Sequence, residues 1–367
     1  MNPQTTLLDA QQQAQLAQVT RVVVGVGLAW FTVHAMRLSA SSAEAWAAVR
    51  AAIRSGAQII VLRVLLPATA VLTLVQQQTG AQAFAILFGL GFALTVALFF
   101  FFFAIYSVAR KSPVWNAGAA ASMGGGNRGL AVLLLLSGLV FTGPGAGAQI
   151  EQTTAAFLAI DLGNFLALLA ALPFLMSMLA KGKQGESVAV PDLISTNLYQ
   201  ARWDLFPIFA AVVTYLAVNA FGEQSWVAAV VREIGAETAD IRSVLVLYLA
   251  WLYVFATLPS LKAVRHEFPH AVALAVLRIG LASLAAVAGA AVLGHPSPLA
   301  FVTTPYGLAI IILLISPVSS FASIIVKQAG ADEQAEARVS ELVLASTIVF
   351  LAIALLLGLG SGFIGGA

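Results

Sequence analysis

Cysteine is absent from the 367 residues, which excludes disulfides and thiolate sites and leaves the redox compartment unreadable. Charge is scarce too: Asp, Glu, Lys and Arg make up only 9% of the chain, far below an ordinary soluble composition. The net charge of +2 describes loops and is no nucleic-acid footprint. His34, His266, His270 and His295 are scattered near the ends of apolar runs without metal-binding spacing. No Gly-x-Ser-x-Gly, His-Glu-x-x-His or Walker-type loop occurs, and no second mid-span aspartate stands ready to partner Asp161. Neither enzyme chemistry nor a cofactor is therefore expected. The first eighteen residues are glutamine-rich and lack a basic residue, unlike the start of a cleaved signal peptide.

What is present is apolar. The chain is 60% hydrophobic with a mean hydropathy of +0.94. The long runs are continuous rather than alternating, which points to a helical polytopic membrane protein and away from a barrel. Into this pattern falls one polar break, Ser122-Met-Gly-Gly-Gly-Asn-Arg-Gly129. The flanking runs, Val114 to Met123 and Leu130 to Phe141, are each too short to cross a hydrocarbon core, which takes roughly twenty helical residues. Together they read as one crossing with its middle unwound, a form tolerated at membrane depth only where it lines a cavity.

In chain order the expected spans are Val22 to Met36, Ala57 to Leu74, Phe84 to Val108, the broken crossing, and Thr154 to Leu179. Glu44 to Arg54 suits a helix lying at the interface. A linker from Lys181 to Trp203 follows, and then the pattern restarts. Its spans are Leu205 to Ala220, Val244 to Leu261, Ala271 to Leu293, Tyr306 to Val326 and Leu342 to Leu357. Trp226 to Arg232 echoes Trp46 to Arg50, and Ser316-Pro-Val-Ser-Ser320 interrupts the ninth span as the glycines interrupt the fourth. The expected fold is all-α: ten transmembrane helices as two inverted five-helix repeats with two broken crossing helices. Its segments are a polar start (1–19), a first repeat (20–180), a cytoplasmic linker (181–203) and a second repeat (204–367).

Loop charge tests the inversion. Connections holding Arg37, Arg50 and Arg54, then Arg110 and Lys111, Lys181, Lys183 and Arg202, Lys262 and Arg265, and Lys327 and Arg338 alternate with basic-poor ones. Placing the basic set in the cytoplasm leaves both termini on the non-cytoplasmic side of the inner membrane.

Four stretches carry a resemblance: Leu65-Leu-Pro67, Gly126-Asn-Arg-Gly-Leu130, Ile160-Asp-Leu-Gly-Asn164, and Ile315 to Phe321 with Gly330-Ala-Asp332. In their order and spacing the chain resembles the auxin efflux carrier family, within the bile acid/arsenite/riboflavin transporter superfamily. The resemblance implies a scaffold domain from spans 1, 2, 6 and 7, and a transport domain from spans 3–5 and 8–10. It also implies secondary transport of small organic anions and a possible homodimer through the scaffold. The chain departs from the family where Ala131 and Val132 stand in place of a proline after the first break. It departs again at Arg128, where the family has a small or neutral residue.

The residues argue for chemistry of their own. Gly125, Gly126 and Gly129 let backbone approach a ligand, Asn127 is polar beside them, and the following half-helix turns its positive end to an anion. Arg128 either contacts a carboxylate, snorkels to the interface, or pairs with Asp161. Asp161, with Asn164 a turn later, serves as a proton carrier, part of a cation site, or one half of a structural ion pair. Pro317 frees a carbonyl while Ser316, Ser319 and Ser320 supply hydroxyls; a simple kink is the plainer alternative. Arg63 and Arg278 are expected to snorkel, and Pro67 to kink its helix. The expected function is elevator-type transport of a small organic anion across the lipid bilayer, coupled as symport to a proton or sodium ion. A channel would need a continuous polar pore, and a sensor a soluble signalling domain.

Overall fold

The computed structural model describes residues 24–76, 80–108, 120, 146–168, 190–222, 225–258, 264–318, 322 and 333–364. Among these residues the regular structure is helical, with no strand. Helix α1 covers 24–39. Helix α2 (Ala43–Ile60) passes through a π-helical stretch, Val61–Leu65, directly into α3 (Leu66–Gln76). Proline explains the stretch: Pro67 has no N–H to give residue 63, and its ring crowds that carbonyl, so the preceding turn widens. The interfacial helix and second span expected from the sequence are thus one continuous rod.

Helix α4 is Ala81–Val108 and α5 is Ala146–Leu166. The sixth helix, α6 (Val190–Phe221), begins inside the stretch expected to be linker. Helix α7 (Trp226–Thr257) likewise fuses the echoing Trp226 segment with the seventh span, and Ser225 caps it by accepting from the Ala228 N–H. A 3-10 turn, Arg265–Glu267, leads into α8 (Phe268–Leu293), which Gly294 ends in the left-handed region at φ 69°. Short α9 (Pro298–Val302) and α10 (Pro305–Ile315) each start on a proline behind a hydroxyl cap, Ser297 and Thr304. Helix α11 is Glu333–Ile364.

Packing sorts the helices into two groups. Helices α2, α3, α6 and α7 pack on one another, and Tyr248 ties α1 to them by donating to the Thr32 hydroxyl at 3.1 Å. In the second group α4 packs on α5, α5 on α10, and α8 on α9, α10 and α11. The groups meet more sparsely, through α3 with α5, α7 with α11 and α5 with α6.

Two helices, Ala81–Val108 and Arg265–Leu293, are long and apolar enough to cross a membrane. Only 33% and 28% of their most apolar windows is buried, less than the mostly buried core helix of a soluble protein would show. Phe31, Phe206, Phe209, Ile241, Leu284 and Val292 are likewise exposed. Apolar side chains turned outward along several helices suit a lipid-facing surface.

Candidate functional site

Helices α4 and α5 approach backbone to backbone. A Cβ on Gly163 would lie 1.8 Å from the Phe88 carbonyl oxygen, and one on Gly91 would lie 1.9 Å from that of Ile160. This contact buries a polar chain. The Thr95 hydroxyl donates to Asn164 Oδ1 at 2.7 Å, and Asn164 Nδ2 donates to Asp161 Oδ1 at 3.2 Å. Asn164 is fully buried and Asp161 is 7% exposed. The sequence-predicted pair is therefore adjacent and inward-facing, with Thr95 as a partner the sequence did not announce. The arrangement orients the aspartate and gathers oxygen atoms suited to a proton or a hard cation.

The second interruption lies where α10 stops. Ser316 adopts φ −56° and ψ 143°, the extended conformation forced on a residue before proline, and Pro317 brings no N–H. The Val318 N–H then turns away to the Ser346 hydroxyl on α11, at 3.1 Å. Arg278 on α8 fills the gap left at the end of α10. Its Nη1 donates to the Ser316 carbonyl at 2.5 Å and reaches the Leu314 carbonyl at 3.4 Å. The guanidinium thus caps a helix C-terminus, where a positive charge is favoured. Phe102 of α4 lies beneath it, 6.0 Å from the ring centre.

Beside this break is a cavity of about 420 Å³. Arg278, Ser283, Ser316 and Ser346 supply its polar side chains, while Leu274, Ile311, Pro317 and Phe350 are among its apolar ones. Arg278 is only 4% exposed, so the expectation that it snorkels to the interface is wrong. The signal was legible in hindsight: the buried face of α8 reads Ala271, Leu274, Arg278, Ala282, Ala286 and Ala290. An arginine amid small residues at helical spacing belongs to a packed face. Arg63 on the π-helical stretch is half-buried.

Helix α5, which carries Asp161 and Asn164, packs on α10. Ile160 and Leu162 share a core with Leu308 and Ile312, and Phe165 and Leu168 share the next with Leu314 and Val318. In both helices the later residues belong to the second of these cores, which puts Asn164 toward the interrupted end of α10. Gly125, Gly126, Asn127, Arg128 and Gly129, and also Ser319 and Ser320, lie outside the described residues.

A cluster of charged side chains gathers at another place in the fold. Arg50, Arg54, His266 and Arg338 line a second cavity of about 650 Å³ together with Glu267, Glu333, Glu336 and Glu341. Arg54 donates to both oxygens of Glu336, and the Tyr253 hydroxyl donates to Glu336 Oε1 at 2.9 Å. Next to them the Tyr106 hydroxyl meets His270 Nε2 at 2.6 Å, and His270 Nδ1 meets Glu267 at 3.2 Å. Arg338 approaches the same Glu267 at 3.7 Å. Arg50, Arg54 and Arg338 thus line one cavity with four glutamates. Among the described residues no group of histidine and acidic side chains could hold a metal ion. No protein-family model matches this chain, and no curated protein matches it.

Proposed function

We propose that the protein is a multi-pass membrane carrier that moves a small organic anion by secondary active transport. The observation that carries this reading is the cavity at the Ser316–Val318 break, mostly apolar yet walled on one side by the buried Arg278 guanidinium. A cation next to unwound backbone, inside helices with apolar outer faces, suits an anion with a compact carbon body. The Gly125–Gly129 break with Arg128 is proposed as the other half of the anion site. Asp161 and Asn164, joined by Thr95, form the proton or sodium site. The two packing groups give the motion its parts: α1–α3, α6 and α7 as scaffold, the rest as the moving body, in the manner of the auxin efflux carriers that the sequence resembles. Ten spans in two inverted repeats and non-cytoplasmic termini belong to the same proposal.

The test is gradient-driven uptake of malate, malonate and aromatic carboxylates by purified protein in liposomes. Saturable uptake that collapses when the proton or sodium gradient is removed supports a coupled carrier. Non-saturating flux would make the protein a channel, and binding without flux a sensor; either result overturns the carrier reading.

A further inference from the structure

Glu336 is 2% exposed and Arg54 is 8% exposed, and 282 positions separate them in the chain. They belong to different packing groups, since α2 packs on α7 in the first and α11 on α8 in the second. Tyr253 of α7 completes the contact from the first group, its hydroxyl on Glu336 and its ring 5.9 Å from the Arg54 guanidinium. Both partners of the carboxylate are thus on one body and the carboxylate is on the other. Among the described residues the groups touch along few other elements, so this charged contact bears on whether they stay together. A buried carboxylate left by its arginine is strongly penalised, whereas the same carboxylate opening into an aqueous cavity is not. The polar cavity of about 650 Å³ adjoins this contact and would admit water as the bodies separate.

We propose that Arg54, Tyr253 and Glu336 form a latch that holds the two helix groups in the closed arrangement seen here and must open when they move apart. Its use in a transport cycle rests on the carrier reading, but the latch itself is measurable without transport. The chain has no cysteine, so paired spin labels on Ala51→Cys of α2 and Gln334→Cys of α11, both exposed and neither in the latch, report only the distance between the groups. In the full-length protein in liposomes the parent is expected to give one dominant distance. Glu336→Gln and Arg54→Gln are each expected to shift the ratio of a second, longer distance by about tenfold or more. Tyr253→Phe should shift it less, and the exchanged pair Arg54→Glu with Glu336→Arg should restore the parent distribution. Identical distributions in Glu336→Gln, Arg54→Gln and Tyr253→Phe would overturn the latch. Where the charge-removing variants do not fold, Tyr253→Phe and the exchanged pair decide it. A shift in distance with no uptake of any anion would sink the carrier reading and leave the latch standing.

Discussion

Arg278 is held by two carbonyls, those of Leu314 and Ser316, at the end where α10 stops before Pro317. Truncation to alanine removes a cation from the cavity wall and orphans buried acceptors at the same time. Leaving a buried acceptor unpaired costs about 1–3 kcal/mol. Arg278→Ala is therefore expected to lower the melting temperature in detergent as well as anion uptake. Arg278→Lys keeps the charge but not the reach to both carbonyls, so it should recover uptake better than alanine does while recovering stability only in part. Equal uptake by alanine variant and parent, at a temperature where both are folded, would remove Arg278 from the anion site. A second residue gives a pH signature. Burial pushes the Glu341 carboxyl above its ordinary value of 4.5, Glu267 pushes it further, and Arg338 and His266 pull it back. The folded protein then holds a proton that the unfolded chain has released, so this group's contribution to stability falls as pH rises through the raised value. Glu341→Gln is expected to raise the melting temperature at neutral pH and to flatten its rise on acidification toward 4.5. A melting temperature with the same pH slope in both proteins would contradict this.

Helix pairs depend on what their smallest residues permit. Gly91 and Gly163 let α4 and α5 touch through main chain, and that contact sets the Thr95–Asn164–Asp161 chain. Gly163→Ala places a methyl where the Phe88 carbonyl already is, so the helices must separate. Overpacking of this kind costs about 1–3 kcal/mol. Gly89→Ala meets nothing within 4 Å and is the matched control. It is expected to hold or raise the melting temperature, whereas Gly163→Ala lowers it and weakens cation coupling; equal melting of the two would show that the close approach is not needed. The sequence announced Asp161 and Asn164 because a carboxylate and an amide stand out in an apolar run. Thr95 and Gly91 did not, since threonine and glycine are unremarkable in membrane helices until a second helix is known to press on them. Element ends show the same split. The stop at Ser316 was legible because proline acts locally, while the fusion of Trp226–Arg232 with the seventh span was not, because amphipathic patterning says nothing about whether a helix pauses at an interface.

At the scale of the whole molecule, hydropathy made the all-helical class readable, and repeated spacing suggested two halves. What it did not convey is pairing over long sequence distances: Arg54 with Glu336, or Tyr106 with His270, are set by how the groups pack rather than by any local pattern. Those pairs nonetheless fix the two ends of the bundle. Tyr106, near the end of α4, meets the start of α8, and Arg54 meets α11 near its start, so these ends share the polar face. Gln82 at the start of α4 and Pro296 beyond α8 then belong to the opposite face, Gln334 lines the polar cavity, and Glu44 precedes Arg50 and Arg54 of that cavity on α2. If the polar, arginine-bearing end is cytoplasmic, single cysteines at Gln82 and Pro296 should react with a charged, membrane-impermeant maleimide on intact cells. Cysteines at Glu44 and Gln334 should react only after permeabilisation, against a background free of native thiols. The reversed pattern would invert the protein in the membrane while leaving its two-faced architecture intact. Labelling of all four sites from one side would mean that the exposed faces of α4 and α8 do not cross a bilayer, and the carrier reading would fall with the span between them.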